Sequence, residues 1–135
     1  MIVAGKLTAE IYAAISTTDA DFVVKVIDVG PNGETEMMVR ANIMRGRYRN
    51  SFSEPEAFTP DKVERVEFDL TDIAHTFQAG HRIKVQVQSS WFPIFDRNPQ
   101  QFIDIYKAEK EDFIPSHIKI YHDAEHPSAI RFNVM

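Results

Sequence analysis

Apolar and polar residues alternate with a period of two along most of this chain, and this pattern restricts the fold to β-structure. In the first stretch every second residue is apolar: Leu7, Ala9, Ile11, Ala13 and Ile15. The alternation recurs at 39–43, 66–70, 83–87, 118–120 and 130–134. Helical character is confined to Thr71–Phe77 and Ala108–Phe113, each long enough for about one turn. Short strands separated by turn signals predict an antiparallel β-sandwich.

The 135 residues have the length and hydrophobic content of one globular domain. We expect about eight strands in two packed sheets. We further expect the apolar residues of the alternating stretches to form a single core: Leu7, Ile11, Val24, Val26, Ile43, Phe68, Ile83, Val85, Val87, Ile120 and Phe132.

A hairpin is predicted between "FVVKVIDV" and "EMMVRANIM". The intervening Pro31-Asn32-Gly33 contains the Asn-Gly pair that tight turns with positive φ favour. The strand before this turn is apolar on both faces, with Phe22, Val24 and Val26 on one side and Val23, Ile27 and Val29 on the other. A sandwich strand should have one wet side, so we expect the second face to be covered.

Composition excludes several classes of function. The formal net charge of −5 provides no positive field for phosphates, so nucleic-acid binding is not expected. The absence of cysteine excludes a thiolate nucleophile and a Cys-based zinc site, and leaves the compartment open. The first residues form neither a signal peptide nor a membrane span, so we expect no membrane partner. They read as a strand from the start, so we expect this chain to be a piece of a longer one.

A search for catalytic motifs finds no nucleophile. None of Gly5, Gly30, Gly33, Gly46 and Gly80 has a serine two positions on, so there is no Gly-x-Ser-x-Gly elbow. No glycine-rich phosphate loop occurs either, and we expect no cofactor.

Three polar patterns each have a functional and a structural interpretation. "HDAEH", His122 to His126, has a metal-like spacing but lies in a predicted loop before Pro127, which favours a solvated loop. Asp19 and Asp21 in "TTDADF" resemble calcium ligands, but the further acidic ligands are missing. A polar turn with one aspartate paired to an arginine is favoured. Arg45, Arg47 and Arg49 share one side of a strand, and a solvated stripe is favoured over a docking site for an acidic partner.

The segment "SSWFPIFDRNPQ", Ser89 to Gln100, combines the only tryptophan with phenylalanines, prolines and charges. Trp91 could act as a sugar-stacking platform. Pro93 and Pro99 stiffen the segment, however, and Arg97 between Asp96 and Asn98 is typical of a hydrogen-bonded polar knot.

Four stretches carry a family resemblance: "TTDADFVVKVIDVGPNG", "RGRYRNSF", "GHRIKVQVQSSWFPIFDRNPQ" and "PSAI". In this order they resemble the C-terminal domain of the X-prolyl dipeptidyl-peptidase family, in the branch that includes cocaine esterase and cephalosporin acylases. The resemblance runs from about Gly5 to Val134. It implies a jelly-roll β-sandwich of the galactose-binding type, residues 1–135, appended to a serine α/β-hydrolase domain that holds the Ser-Asp-His triad.

The resemblance therefore places no catalytic residue in this chain, and the substrate stays open. One hypothesis is a non-catalytic accessory domain that packs on the catalytic domain of an ester, amide or X-Pro peptide hydrolase. The other is a free-standing carbohydrate-binding module that uses Trp91. The apolar face around Val23, Ile27 and Val29 favours the first hypothesis, since a free module would not leave it wet.

Under the first hypothesis the segment is a structural corner that also faces the hydrolase domain. Its expected residues are Trp91, Phe92, Pro93, Phe95, Asp96, Arg97 and Asn98, with Asp19 and Asp21 as polar partners. Arg97 is predicted to be buried and hydrogen-bonded to backbone carbonyls or to a carboxylate, that of Asp21 or else Asp96, because an unpaired guanidinium could not remain inside the fold.

Overall fold

A computed structural model describes all 135 residues and shows two antiparallel sheets packed as a sandwich. This confirms the predicted fold class. The strands are β1 (Ile2–Ile15), β2 (Asp21–Val29), β3 (Glu36–Arg45), β4 (Glu64–Thr76), β5 (Arg82–Gln88), β6 (Ile118–Tyr121) and β7 (Ala129–Arg131). Three-residue 3₁₀ helices lie at Gly46–Tyr48, Ile105–Lys107 and Lys110–Asp112. No helix has the length and hydropathy needed to cross a bilayer.

The first sheet has the order β4-β1-β6, with β7 also pairing with β1, and the second has the order β3-β2-β5. β1 and β2 are the central strands, and their inner faces meet in the middle of the core. Leu7, Ile11, Val24 and Val26 are buried there as predicted, because both neighbours of each strand and the opposite sheet exclude water.

β4 runs through the segment predicted to contain a helical turn, so that prediction is wrong. The register between β1 and β4 shifts between Leu7 and Thr8, and Thr71 adopts a φ of 68° at this bulge. A bulge inserts one extra residue and exchanges the two faces of the strand that follows. Phe68 is therefore inward before the bulge and Ile73 after it, which removes the simple alternation.

The hairpin between β2 and β3 is present, but its loop is longer than the predicted tight turn. The Gly33 amide donates to the Gly30 carbonyl at 2.9 Å, so Pro31 and Asn32 are the central residues of the turn. Only Gly33 has a positive φ, 75°. The predicted Asn-Gly centre is wrong by one position.

The predicted core is too large. Ile43 and Phe132 are only partly buried. Four further residues are substantially exposed: Ile83 at 38%, Val85 at 45%, Val87 at 37% and Ile120 at 37%. Their register points them inward as expected, but the opposite sheet covers them only in part.

The second face of β2 is covered by this chain itself. Val23 is 0% exposed, Ile27 7% and Val29 6%. This face is therefore not available for docking, and it gives no support to the accessory-domain hypothesis.

Candidate domain interface

After β5 ends at Gln88, the chain crosses the outer face of the β3-β2-β5 sheet. The Trp91 ring lies 5.5 Å from the Lys25 ammonium and 5.9 Å from the ring of Phe95. Arg45 anchors the segment further on, donating to the Asp96 carbonyl at 3.2 Å. Trp91 is therefore a half-buried cover for the sheet, and its ring is already engaged on this chain.

Beneath this segment lies a buried group of four polar residues, which we call the polar cluster: Asp19, Asp21, Arg47 and Asn98. The Asn98 side-chain amide donates to Asp19 Oδ2 and to Asp21 Oδ1, both at 2.9 Å. The Asn98 side-chain oxygen accepts from the Gln100 amide at 2.8 Å. Asn98 thus fixes the end of the corner to the turn that precedes β2.

Arg47 neutralises the Asp19 side of the polar cluster. Its Nε donates to Asp19 Oδ2 at 2.8 Å and its Nη2 lies 2.6 Å from the same oxygen. The Asp19 side chain is fully buried and that of Arg47 is 11% exposed. A buried carboxylate is tolerated only when a cation and hydrogen bonds compensate its desolvation, and both are present here.

Asp21 differs from Asp19 because no arginine is paired directly with its carboxylate. Burial raises its pKa to about 6, although the Asn98 hydrogen bond and the Arg45 charge favour the ionised form. The chain thus contains one buried carboxyl that titrates near neutral pH.

The prediction that Arg97 is buried and paired with Asp21 or Asp96 is wrong. Arg97 is exposed, and its guanidinium lies 5.0 Å from the Phe113 ring and 6.0 Å from the Phe92 ring. Asn98 makes the inward contact instead, because the segment after Gln88 forms no strand and its side chains do not follow a strand's alternation. Asp19 and Asp21 do contact the corner, through this neighbour.

The predicted solvated stripe of arginines is also wrong. β3 ends at Arg45, and the 3₁₀ helix at Gly46–Tyr48 turns Arg47 inward to Asp19. The Arg49 side chain is fully buried, stacks 4.0 Å from the Phe58 ring, and donates to three backbone carbonyls. Spacing of two residues defines a face only while the strand continues.

Gly46 is the sequence signal that could have located this change of direction. Its amide donates to the Ala20 carbonyl at 2.8 Å. A Cβ at this position would lie 2.5 Å from that oxygen and 2.6 Å from the Phe58 ring. Only glycine allows β3 to approach the Asp19 turn so closely, and this approach delivers Arg47 to the polar cluster.

Four large hydrophobic side chains of this region are exposed, and we call them the corner surface. Phe92 and Ile94 are 64% and 65% exposed at the tip of the corner. Tyr106 is 85% exposed and Phe102 38% exposed, beside a cleft of about 460 Å³ whose lining also includes Arg45 and Arg47. Large apolar side chains above a rigid, hydrogen-bonded base are typical of a protein interface.

The calcium interpretation of Asp19 and Asp21 is not compatible with their contacts. Asp19 Oδ2, which accepts from Asn98, is also paired with the Arg47 guanidinium. The guanidinium therefore occupies the position that a calcium ion would need. The "HDAEH" segment forms a turn that is closed by hydrogen bonds, in which the Asp123 carboxylate accepts from the Glu125 and His126 amides at 3.0 and 2.8 Å. No group of three His, Cys, Asp or Glu side chains could hold a metal ion.

A second polar group escaped the sequence analysis. The buried Asp28 carboxylate contacts His75 Nε2 and His81 Nδ1, each at 2.8 Å, and thereby links the two sheets. Desolvation alone would raise the pKa of Asp28, but the two histidine hydrogen bonds hold it below its ordinary value. An aspartate in the apolar sequence "VVKVIDV" was the available signal, because a buried charge requires partners.

Comparison with known proteins gives a consistent result. The model of the family described as the X-Pro dipeptidyl-peptidase C-terminal non-catalytic domain matches residues 1–131. Cocaine esterase of Rhodococcus sp. (strain MB1 Bresler) is 34% identical over 128 residues, which are 95% of this chain and 22% of the esterase.

Solved structures agree with this match. An aminopeptidase from the marine sediment archaeon Thaumarchaeota archaeon is 43% identical with a TM-score of 0.96, over 99% of this chain and 23% of that one. An alpha-amino acid ester hydrolase is 39% identical with a TM-score of 0.92, over 97% and 23%. A CocE/NonD family hydrolase from Staphylococcus aureus, 15% identical with a TM-score of 0.72 over 97% and 28%, shares the fold.

Proposed function

Because this chain belongs to the family of C-terminal non-catalytic domains of X-Pro dipeptidyl-peptidases, we propose that it is the accessory domain of a larger serine α/β-hydrolase. In this proposal residues 1–135 form one C-terminal domain, and the triad lies elsewhere in the polypeptide. The family match carries the proposal. It is supported by relatives named for ester or peptide hydrolysis, of which this chain spans 22% to 23%.

The corner surface is the proposed contact with the catalytic domain. Phe92 and Ile94 project from a segment that Asn98 fixes to Asp19 and Asp21. An interface benefits from such rigidity, because little conformational entropy is lost when the partner binds. The apolar side chains would be buried against the catalytic domain and would lose their contact with water.

The proposed role is to shape the surroundings of the active site. A rigid domain beside an active site narrows access to it and excludes water, which strengthens the electrostatic interactions within. Selectivity for ester, amide or X-Pro substrates would then depend partly on the position of the corner. No residue of this chain is assigned to bond making or breaking.

The test uses the natural longer polypeptide that carries this chain, with Phe92→Ala as the variant. Loss of a central apolar contact costs about 1–2 kcal/mol, so we expect kcat/KM for a p-nitrophenyl ester or an X-Pro anilide to fall by about ten-fold. Phe52→Ala is the matched control, since Phe52 is also exposed, at 83%, but lines a different cleft. In the 135-residue chain both variants should unfold at the wild-type midpoint.

Equal activity of the Phe92→Ala and Phe52→Ala polypeptides would contradict the proposed contact. Fluorophosphonate labelling of a serine in the 135-residue chain, abolished by one substitution, would contradict the non-catalytic assignment. Glycan binding by this chain that Trp91→Ala abolishes would instead support the carbohydrate-binding module.

A further inference from the structure

The inner face of β5 is apolar and exposed, although it belongs to the sandwich interior. The register places Ile83, Val85 and Val87 opposite Asp28, Val26 and Val24. Directly opposed residues of an antiparallel pair share a face, so all three β5 residues point toward the other sheet. Their exposure of 37% to 45% contrasts with 0% to 5% for their partners on β2.

The other sheet does not reach far enough to cover this face. Its nearest strands are the four-residue β6 and the three-residue β7, both paired with β1. Ile118 and Ile120 of β6 lie opposite Ile15 and Ala13 and therefore face inward, but Ile120 is 37% exposed. A cavity of about 270 Å³ separates this strand from Val87. We call this region the open groove: Ile83, Val85, Val87, Ile118 and Ile120.

The opposite side of the sandwich is closed where residues 40–44 of β3 face residues 68–72 of β4. Asn42 of β3 donates to the Asp69 carbonyl of β4 at 2.7 Å, and Arg40 donates to the Asp72 carbonyl. Met44 and Phe68, on the same two edge strands, are 6% and 7% exposed. An edge position alone therefore does not expose an inner apolar residue in this stretch, although Met37, opposite Asp28 near the start of β3, is 53% exposed.

We propose that one further β-strand, supplied by the hydrolase polypeptide outside these 135 residues, pairs with the free edge of β5 and fills the open groove. This inference rests on the proposed function, because it requires that larger polypeptide. β5 has a single hydrogen-bonded neighbour, so every second residue presents an unpaired amide and carbonyl at its outer edge. Strand addition satisfies those groups and buries alternate side chains in the same step.

The surroundings of β5 define the chemistry of the added strand. Its inward side chains must be apolar, because they meet Ile83, Val85 and Val87. On the outer face Lys84 is paired with Glu36 at 2.9 Å, whereas Arg82 has no carboxylate within salt-bridge distance. An acidic outward side chain next to Arg82 completes the match. Relatives of which this chain spans 22% or 23% have ample length to supply such a strand.

The absence of cysteine makes the open groove directly testable. Val85→Cys places a thiol on the inner face, and Lys84→Cys places the control thiol on the outer face of the same strand. The native residues have almost equal exposure, 45% for Val85 and 44% for the Lys84 side chain. N-ethylmaleimide modification of each position is followed by mass spectrometry in the 135-residue chain and in the natural longer polypeptide.

In the 135-residue chain both thiols should react readily. In the longer polypeptide the thiol at position 85 should react at least about ten-fold more slowly, because its modification requires local opening of the added strand. The control thiol at position 84 should change by less than about three-fold. Val87→Cys, which is also inward, provides a second variant if Val85→Cys does not fold.

Equal reactivity of position 85 in the two polypeptides overturns the inference. Protection of position 85 that grows with the concentration of the 135-residue chain, together with a dimer in sedimentation, also overturns it, since a second copy then occupies the groove. The outcome is independent of the corner test. If position 85 is protected but Phe92→Ala leaves kcat/KM unchanged, only the corner contact is refuted. If Phe92→Ala lowers kcat/KM but position 85 stays reactive, only the added strand is refuted.

Discussion

The polar cluster and the inner face of β5 both border β2, and their burial is the reverse of their polarity. Asp19, Asp21 and Asn98 are at most 5% exposed, whereas Ile83, Val85 and Val87 are at least 37% exposed. The corner segment covers the polar cluster, whereas the opposite sheet covers the inner face of β5 only in part. Burial thus depends on which chain segment covers a residue and not on the polarity of its side chain. Polar residues remain inside when each has a hydrogen-bond or ion-pair partner.

The largest effect is expected at the polar cluster, for Arg47→Ala. The substitution leaves the fully buried Asp19 carboxylate without its cation, and breaking one side of a buried ion pair typically costs about 3–5 kcal/mol. Urea unfolding monitored by Trp91 fluorescence gives the free energy. A loss of unfolding free energy below about 1 kcal/mol would mean that the Arg47 pair is worth no more than an exposed surface ion pair, and the polar cluster would then not be a strongly stabilising buried group.

A second experiment compares two inward valines that face each other on adjacent strands, Val26 and Val85. Val26 is 2% exposed, so Val26→Ala should lower the free energy of unfolding by about 2 kcal/mol. Val85 is 45% exposed, so Val85→Ala should cost less than about 1 kcal/mol in the 135-residue chain. Equal losses from both substitutions would show that β5 is covered in solution.

The pH dependence of stability tests Asp21. Its pKa is raised to about 6 in the folded state from an ordinary 3.8. The favourable contribution is complete below the unfolded-state value and is lost as pH rises through the folded-state value. Relative to Asp21→Asn, the wild-type chain should lose on the order of 2 kcal/mol between about pH 4 and pH 7.

This difference is obtained from urea melts of the two proteins across that range, in which the titration of all other groups cancels. A constant difference would mean that Asp21 keeps an ordinary pKa. Its environment would then be more hydrated than its 2% exposure indicates.

The smallest effect is expected for Arg97→Ala. Arg97 is exposed and contacts only the faces of Phe113 and Phe92, so its loss should cost about 0.5–1 kcal/mol. Thermal unfolding of the Arg97→Ala and Arg47→Ala variants under the same conditions compares the two losses of stability directly. A loss from Arg97→Ala as large as that from Arg47→Ala would restore Arg97 as the buried member of the corner.

Much of the fold follows from local patterns in the sequence. Alternation located β1, β3 and β5, and together with the scarcity of helix it predicted the sandwich. The same reasoning failed at Thr71, because a bulge exchanges the faces of β4 without an obvious change in composition. It failed again at Arg47, because the strand that defined the stripe had already ended at Arg45.

The candidate site was predictable as a segment but not in its contacts. The prolines and the mixed composition of 89–100 indicated a stiff corner, and the family resemblance agreed with the later comparisons. The choice between Arg97 and Asn98 as the inward residue depends on the direction of the backbone after β5. That direction is set by Trp91 lying over Lys25 and by Arg45 holding Asp96.

By itself the sequence determined the family, the β-sandwich and the absence of a nucleophile elbow, since each of these is written in residue types and their spacing. Only the tertiary structure decided which charges are buried and which apolar residues remain wet. Asp19 meets Arg47 across 28 positions and Asn98 across 79, and Val85 is exposed because no strand lies beyond β5. Contacts between such distant positions depend on how strands and loops are brought together in space, and no local pattern encodes them.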